Sequence, residues 1–225
     1  MHITGISSMA TKALLADLVS LAHVQLGMEV QMTSVGGVDA AKRVQAGEAF
    51  DLVFLASDAI NKLISGGHVL AGSSVDQLTS GVAMAVPKGR VKPVVNTEAD
   101  LQALVSSVGR LSYSTGPSGV ALAAMFERWG MLETLAPRIV IPPPGVPVAR
   151  LVAQGEVDLG FQQTSEMLNV PGIELLGPLP ADVAIVTTFS TAISVQCGQV
   201  EAVRKLLDFW ASEKCDAAKR KQGMV

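Results

Sequence analysis

Apolar positions in the first third of the chain alternate between two rhythms. Residues 3–6, 28–33 and 51–56 are short, strand-length runs rich in apolar side chains, bounded by polar residues or glycine. Between them lie longer stretches with helical spacing. Ala10, Leu14, Leu18, Leu21 and Ala22 mark a helix over 9–25 that Gly27 stops. Residues 38–46 make a second helix closed by Gly47, and a third follows near 59–64. Strand–helix alternation of this kind predicts an α/β architecture with largely parallel strands.

The rhythm changes at residues 78–86, an extended apolar run that ends at Pro87-Lys88-Gly89 and reads as a strand crossing into a second lobe. A helix over 97–104 follows. Then comes a strand, Leu111-Ser112-Tyr113, a turn of small polar residues, and a helix through Trp129 with apolar Val120, Ala121, Ala124, Met125 and Phe126. Residues 139–141 read as a strand and Pro142-Pro143-Pro144-Gly145 as a rigid turn. The next helix, 146–154, carries Pro147 in its first turn, where the missing N–H costs nothing. Strands are expected at 157–161, 173–176 and 183–195, the last long enough to cross back, and helices at 200–210 and 213–221 close the chain. The division that follows is one lobe of 1–80 plus 191–225 and a second of 81–190.

An internal echo joins the two halves. The run Gly37-Val38-Asp39-Ala40-Ala41-Lys42-Arg43-Val44-Gln45-Ala46-Gly47-Glu48 aligns with Gly145-Val146-Pro147-Val148-Ala149-Arg150-Leu151-Val152-Ala153-Gln154-Gly155-Glu156. Both precede an Asp-Leu pair heading an apolar strand, Asp51-Leu52 and Asp158-Leu159. Ile6-Ser7-Ser8 before a helix likewise matches Tyr113-Ser114-Thr115-Gly116-Pro117-Ser118. In open parallel sheets, ligands gather where strand carboxyl ends meet helix N-termini, whose free N–H groups suit anions. The expected ligand-binding residues are Ser7, Ser8, Gly37, Val38, Thr115, Ser118, Gly119, Val146 and Gln163. These mostly neutral donors suit an oxyanion or a carboxylate.

Composition narrows the field. Charged residues make up 16% of the 225 and the net charge is −3, without a basic cluster suited to nucleic acid; Lys219-Arg220-Lys221 reads as a helix end. Aromatic residues are only 4%, too few for a stacking surface, and no run reaches the ~20 apolar residues of a membrane span. Cys197 and Cys215 read as two buried free thiols, with a bridge between them the alternative, and the separated His2, His23 and His68 read as surface groups, so neither metal nor cofactor is expected. No leader is evident at the start. That leaves a periplasmic chain whose leader was removed, or a cytoplasmic one.

Known catalytic patterns are missing. There is no phosphate-binding Gly-x-x-x-x-Gly-Lys-Ser/Thr, and Gly116-Pro117-Ser118-Gly119 lacks the spacing of a nucleophile elbow. Ser8 and Lys12 stand one helical turn apart, but Lys12 reads as solvated. Arg43 and Arg150 occupy the echoing helices, from which they could reach a multiply charged ligand, but Lys42 and Arg150, at near-repeat positions, read more simply as solvated partners of nearby acids. Asp58 and Glu166 follow strands that end at the site, as general bases or, more simply, as helix caps.

Taken together, the Ser7-Ser8 turn, Arg43-Val44-Gln45-Ala46-Gly47 before Asp51-Leu52-Val53-Phe54, Ala56-Ser57-Asp58, Pro117-Ser118-Gly119 and Asp158-Leu159-Gly160-Phe161 resemble the periplasmic binding proteins of the molybdate/tungstate type, nearly end to end. The resemblance implies a two-lobed type II periplasmic-binding-protein-like α/β fold, with mixed, mainly parallel sheets and a ligand cleft between lobes joined by two crossing strands. It further implies a monomer that hands its ligand to the membrane subunit of an ABC-type transporter. The family's first serine matches Ser8 or Ser7, and its second falls in Gly36-Gly37-Val38, where no hydroxyl exists. Ser118 stands at its small residue after the lobe-two proline, and Gln163 replaces its tyrosine. A glycine-lined site with Gln162, Gln163 and Thr115 suits a small organic acid better than molybdate. Chains of similar look include isomerases of aconitate, so the alternative reading is an enzyme shifting a carbon–carbon double bond.

Overall fold

The computed structural model describes residues 2–143 and 145–225. In chain order the elements are β1 (His2–Ser8), α1 (Lys12–Leu26), β2 (Glu29–Val35), α2 (Gly37–Gln45), β3 (Leu52–Ala56), α3 (Ser57–Ser65), β4 (Val75–Pro87), α4 (Glu98–Ser107), β5 (Leu111–Tyr113), α5 (Pro117–Arg128), α6 (Leu132–Leu135), α7 (Val148–Ala153), β6 (Leu159–Gln163), α8 (Thr164–Met167), β7 (Ile173–Pro178), β8 (Val186–Ile193), α9 (Val200–Ala211) and α10 (Asp216–Lys221). The chain forms two compact units, Met1–Ser80 with Thr187–Val225, and Gly81–Val186.

In the first unit the strand order is β2-β1-β3-β8-β4. β1 runs parallel to β2 and β3, as the βα alternation requires, whereas β8 is antiparallel to β3. Side chains alternate across this sheet. Ile3 and Phe54 face a core with Leu14, Leu18 and Leu206; Ile6, Val53 and Leu55 face another with Ala40, Val44 and Ile60. Fully buried Trp210 stacks on Phe54 with ring centroids 6.4 Å apart, and its Nε1 donates to Leu18 O (3.2 Å). Burying side chains of this size contributes about 1.5–3 kcal/mol each.

In the second unit the order is β7-β4-β6-β5, with β5 parallel to β6 and β4 antiparallel to both β6 and β7. Phe126 of α5 packs edge-on to Tyr113 of β5 and Phe161 of β6, with centroids 6.1 Å away in each case. A capping box starts α4: Thr97 Oγ1 accepts from Asp100 N, and Asp100 Oδ2 from Thr97 N.

Three local expectations change. Residues 139–141 form no strand, because Ile139 alone bridges to Leu111. Pro147 caps α7 from an extended conformation rather than sitting inside its first turn. Of the turn expected at 142–145, Pro144 lies outside the described residues.

Candidate functional site

The two serines ending β1 part ways. Alternation turns Ser7 to the α1 face, where its hydroxyl donates to Ser8 O (3.2 Å) and lies 2.8 Å from the Ser34 hydroxyl, its register partner on β2. Ser7 is fully buried and its one proton already goes to Ser8 O, so it ties the strands together and has no proton to offer a ligand. Ser8 turns to the other face, with a Cβ on Gly37 placed only 3.6 Å from its own. Its residue is 92% buried (8% exposed) and its Oγ has no hydrogen-bond partner. Among the described residues Gln77 Oε1 and Ser112 Oγ share that condition, but Ser8 alone ends a strand beside a helix start.

That helix start is open. Gly36 O accepts from Ala40 N (2.8 Å), which leaves the N–H groups of Gly37, Val38 and Asp39 without acceptors among the described residues. The half-exposed Val38 side chain turns outward. Ser8 and three amides therefore form one set of donors, with the positive end of the α2 dipole behind them.

The corresponding turn of the second unit is poorer in donors. Pro117 has no N–H, and the amides of Gly119 and Val120 both go to Gly116 O (3.0 and 3.1 Å). This takes Gly119 out of the donor set. Its role is steric: a Cβ there would fall 1.6 Å from Ser114 O, so only glycine fits. Ser118 keeps a free amide, and its buried hydroxyl lies 2.9 Å from the Ser114 hydroxyl. One of that pair donates, so one proton remains for a third group. Thr115 is exposed in the turn.

At the end of β6, Gln162 Oε1 accepts from Ala149 N (3.1 Å) in the first turn of α7, and its Nε2 donates to Glu166 Oε1 (2.8 Å). Burial, opposed only by this hydrogen bond, pushes the Glu166 carboxyl up to about 7. Val146 gives its N–H to Pro143 O (3.0 Å), which removes it as a donor too. Gln163 is buried at the junction of β6 and α8. The link between Gln162 and Glu166 carries no signal in the sequence, since it spans a strand–helix junction where spacing predicts nothing.

The other candidates fall outside these sets. Neither Asp58 nor Glu166 caps its helix through a side-chain bond, because each already lies within the first turn. Arg43 is committed to Glu48 by a two-pronged ion pair and lies over the Phe50 ring, whereas Lys12, Lys42 and Arg150 are exposed. Both cysteines are free thiols. No cluster of three metal-ligating side chains exists among the described residues, and no helix there is long and apolar enough to cross a membrane.

Residues 3–225 match the family model of the bacterial extracellular solute-binding proteins. Aconitate isomerase from a Pseudomonas species is 35% identical over 178 residues, covering 79% of this chain and 67% of that protein. The periplasmic molybdate-binding protein of Azotobacter vinelandii superposes with a TM-score of 0.84 at 18% identity, covering 99% of this chain and 98% of that one. The sulfate-binding protein SubI from Mycobacterium tuberculosis does so at 0.80 and 14% identity, covering 100% and 86%. Those two likenesses establish a periplasmic-binding-protein-like α/β fold, and the match along almost the whole chain makes it a member of the bacterial extracellular solute-binding protein family.

Proposed function

We propose that this solute-binding protein captures a small anion, an oxyanion or a carboxylate, and presents it in the periplasm to an ABC-type transporter. The observation that carries the reading is Ser8 Oγ, a buried hydroxyl without a partner beside the three open amides of α2. Leaving a buried hydroxyl unpaired costs about 1–3 kcal/mol, a cost that an entering oxygen removes. The second unit carries a donor set of its own, the Ser118 amide and the Ser114–Ser118 hydroxyl pair. All of these are neutral, so selectivity comes from the geometry of the donors and not from a counter-charge. The molybdate- and sulfate-binding names of the structural neighbours agree with that donor chemistry.

A thermal-shift panel of molybdate, tungstate, sulfate, citrate and trans-aconitate tests the reading. At least one should raise the melting temperature, and Ser8→Ala should weaken that binding by tenfold or more, the loss of one charge-assisted hydrogen bond. A panel without a hit, or unchanged affinity in Ser8→Ala, rejects the assignment.

A second reading, isomerisation of an unsaturated tricarboxylate, is favoured by Glu166, since a carboxyl titrating near 7 can both take and return a proton. The 35% identical aconitate isomerase points the same way. In this reaction a proton leaves one carbon, the double bond shifts, and a proton returns at the other end of the allyl system. Incubating trans-aconitate with the protein and following its vinyl proton by NMR decides the matter. Conversion that Glu166→Gln abolishes supports turnover; unchanged spectra reject it.

A further inference from the structure

The Glu166 carboxyl is held at one oxygen and free at the other. Ala149 N–H can only donate, so the Gln162 atom it meets must be the carbonyl oxygen, which presents the amide nitrogen to Glu166 Oε1. That contact persists whether or not the carboxyl is protonated. Among the described residues no hydrogen bond engages Glu166 Oε2. The proton site is thus Oε2.

Its place in the fold matters as much. Glu166 lies in the first turn of the helix that begins where β6 ends, and β5 runs parallel beside β6 with Tyr113 opposite Phe161. The Ser114–Ser118 donors and the Gln162–Glu166 pair therefore occupy the same carboxyl-end edge of one sheet, the edge at which open α/β sheets bind ligands.

We propose that Glu166 takes up one proton as an anion binds at this edge, so that anion capture by this chain is coupled to proton uptake. The proposal rests on the anion-binding reading above. The proton comes from solvent, and the neutral carboxyl then donates from Oε2 to the bound anion instead of repelling it.

The titration behaviour fits. An ordinary carboxyl at 4.5 would forfeit about 300-fold in affinity to be neutral at pH 7, at tenfold per unit. One at about 7 forfeits roughly twofold. The groups facing it do not oppose the change. β6 has no titratable side chain, Glu174 on β7 is paired with Lys92 (3.7 Å), Arg150 on α7 is exposed, and only burial and Gln162 act on the carboxyl.

The test is calorimetric titration with molybdate and, separately, with trans-aconitate, from pH 7.5 to 8.5, where both are ionised. Each titration is run in a buffer of low and a buffer of high ionisation enthalpy. Expected are proton uptake approaching one at pH 8 and an affinity that falls about tenfold between pH 7.5 and 8.5. Glu166→Gln should bind with no such pH dependence. Wild-type affinity that is flat with pH, without proton uptake, overturns the coupling and leaves anion binding standing. A Gln variant with the wild-type pH profile does the same. Failure of both probes, and of the tungstate, sulfate and citrate of the panel, to bind at every pH rejects both readings. Because the variant could misfold, the carboxyl carbon of Glu166 is also followed by NMR in the wild-type protein. A midpoint near 7 that rises with molybdate supports the coupling, and one that stays put overturns it.

Discussion

The echoing segments of the two units build the same frame and then use it differently. Gly47 and Gly155 adopt positive φ (81° and 71°) at the ends of α2 and α7, and the amides after them reach back to Arg43 O and Leu151 O (3.1 and 3.0 Å). Asp51 and Asp158 then pin the neighbouring strand: Asp51 Oδ2 accepts from Thr4 N (2.8 Å), and Asp158 Oδ2 from Arg110 N (2.9 Å). The helix starts differ. α2 opens on Gly36-Gly37 with its amides bare under Ser8, whereas α7 opens on Pro147 and gives its Ala149 amide to Gln162. Repetition in this chain therefore marks the scaffold, and the proposed anion donors lie where the repeat fails.

The largest effect should come from putting a methyl at Gly119. Gly119→Ala drives its Cβ to within 1.6 Å of Ser114 O, a backbone atom that cannot step aside. A loss of roughly 3 kcal/mol or more, enough to unfold the second unit, is expected in urea denaturation. Retained stability would show that the turn can relax and that its donors are less fixed than the contact implies.

How much of this was legible before the fold was known follows from the same contrast. Buried apolar runs and helical spacing located the parallel strands and most helices, because burial imposes those patterns directly. The strand expected at 139–141 failed because its β-branched residues meet only one partner, at Leu111. Choosing between Ser7 and Ser8 required the β1–β2 register that sets Ser7 opposite Ser34. The Gln162 bridge needed α7 folded against β6, a contact that no local spacing encodes.

Next in size is Glu166. Its carboxyl is raised from 4.5 to about 7 in the folded chain, so the native state holds its proton more tightly than the unfolded one. Stability accordingly falls as pH rises from about 4.5 to 7 and is level above, a burden of roughly 3 kcal/mol. Glu166→Gln keeps the size and relieves that burden. It should therefore be more stable than wild type at pH 8 by up to that amount, with the gap closing by pH 4.5. Equal urea midpoints at pH 8 would mean that the carboxyl is well solvated.

Asp158 has the opposite sign and a smaller effect. Burial works against its ionisation, but the Arg110 and Gly109 amides and the Arg90 guanidinium outweigh this and hold its carboxyl below the usual range. Such a group stabilises the fold above its unfolded pKa, and the contribution disappears as pH falls through the folded one. Asp158→Ala should cost about 1.5 kcal/mol at pH 7, the worth of a hydrogen bond to a charged group. The difference should close below pH 4. A difference that persists in acid would assign the loss to packing rather than to the strand pin.

The smallest change tests the open helix start itself. At Gly37 a Cβ would sit 3.6 Å from that of Ser8, ordinary van der Waals contact, and its φ is helical. Gly37→Ala should therefore shift stability by no more than about 0.5 kcal/mol, in sharp contrast to the same substitution at Gly119. Its effect on binding should depend on ligand size, because the methyl takes up room beside Ser8 Oγ while leaving all three amides in place. If sulfate and a tricarboxylate lose affinity equally in Gly37→Ala, the glycine sets no size limit. If only the tricarboxylate suffers, the missing Cβ at Gly37 makes room for an organic acid, and the departure of this turn from a serine-lined one has a steric cause.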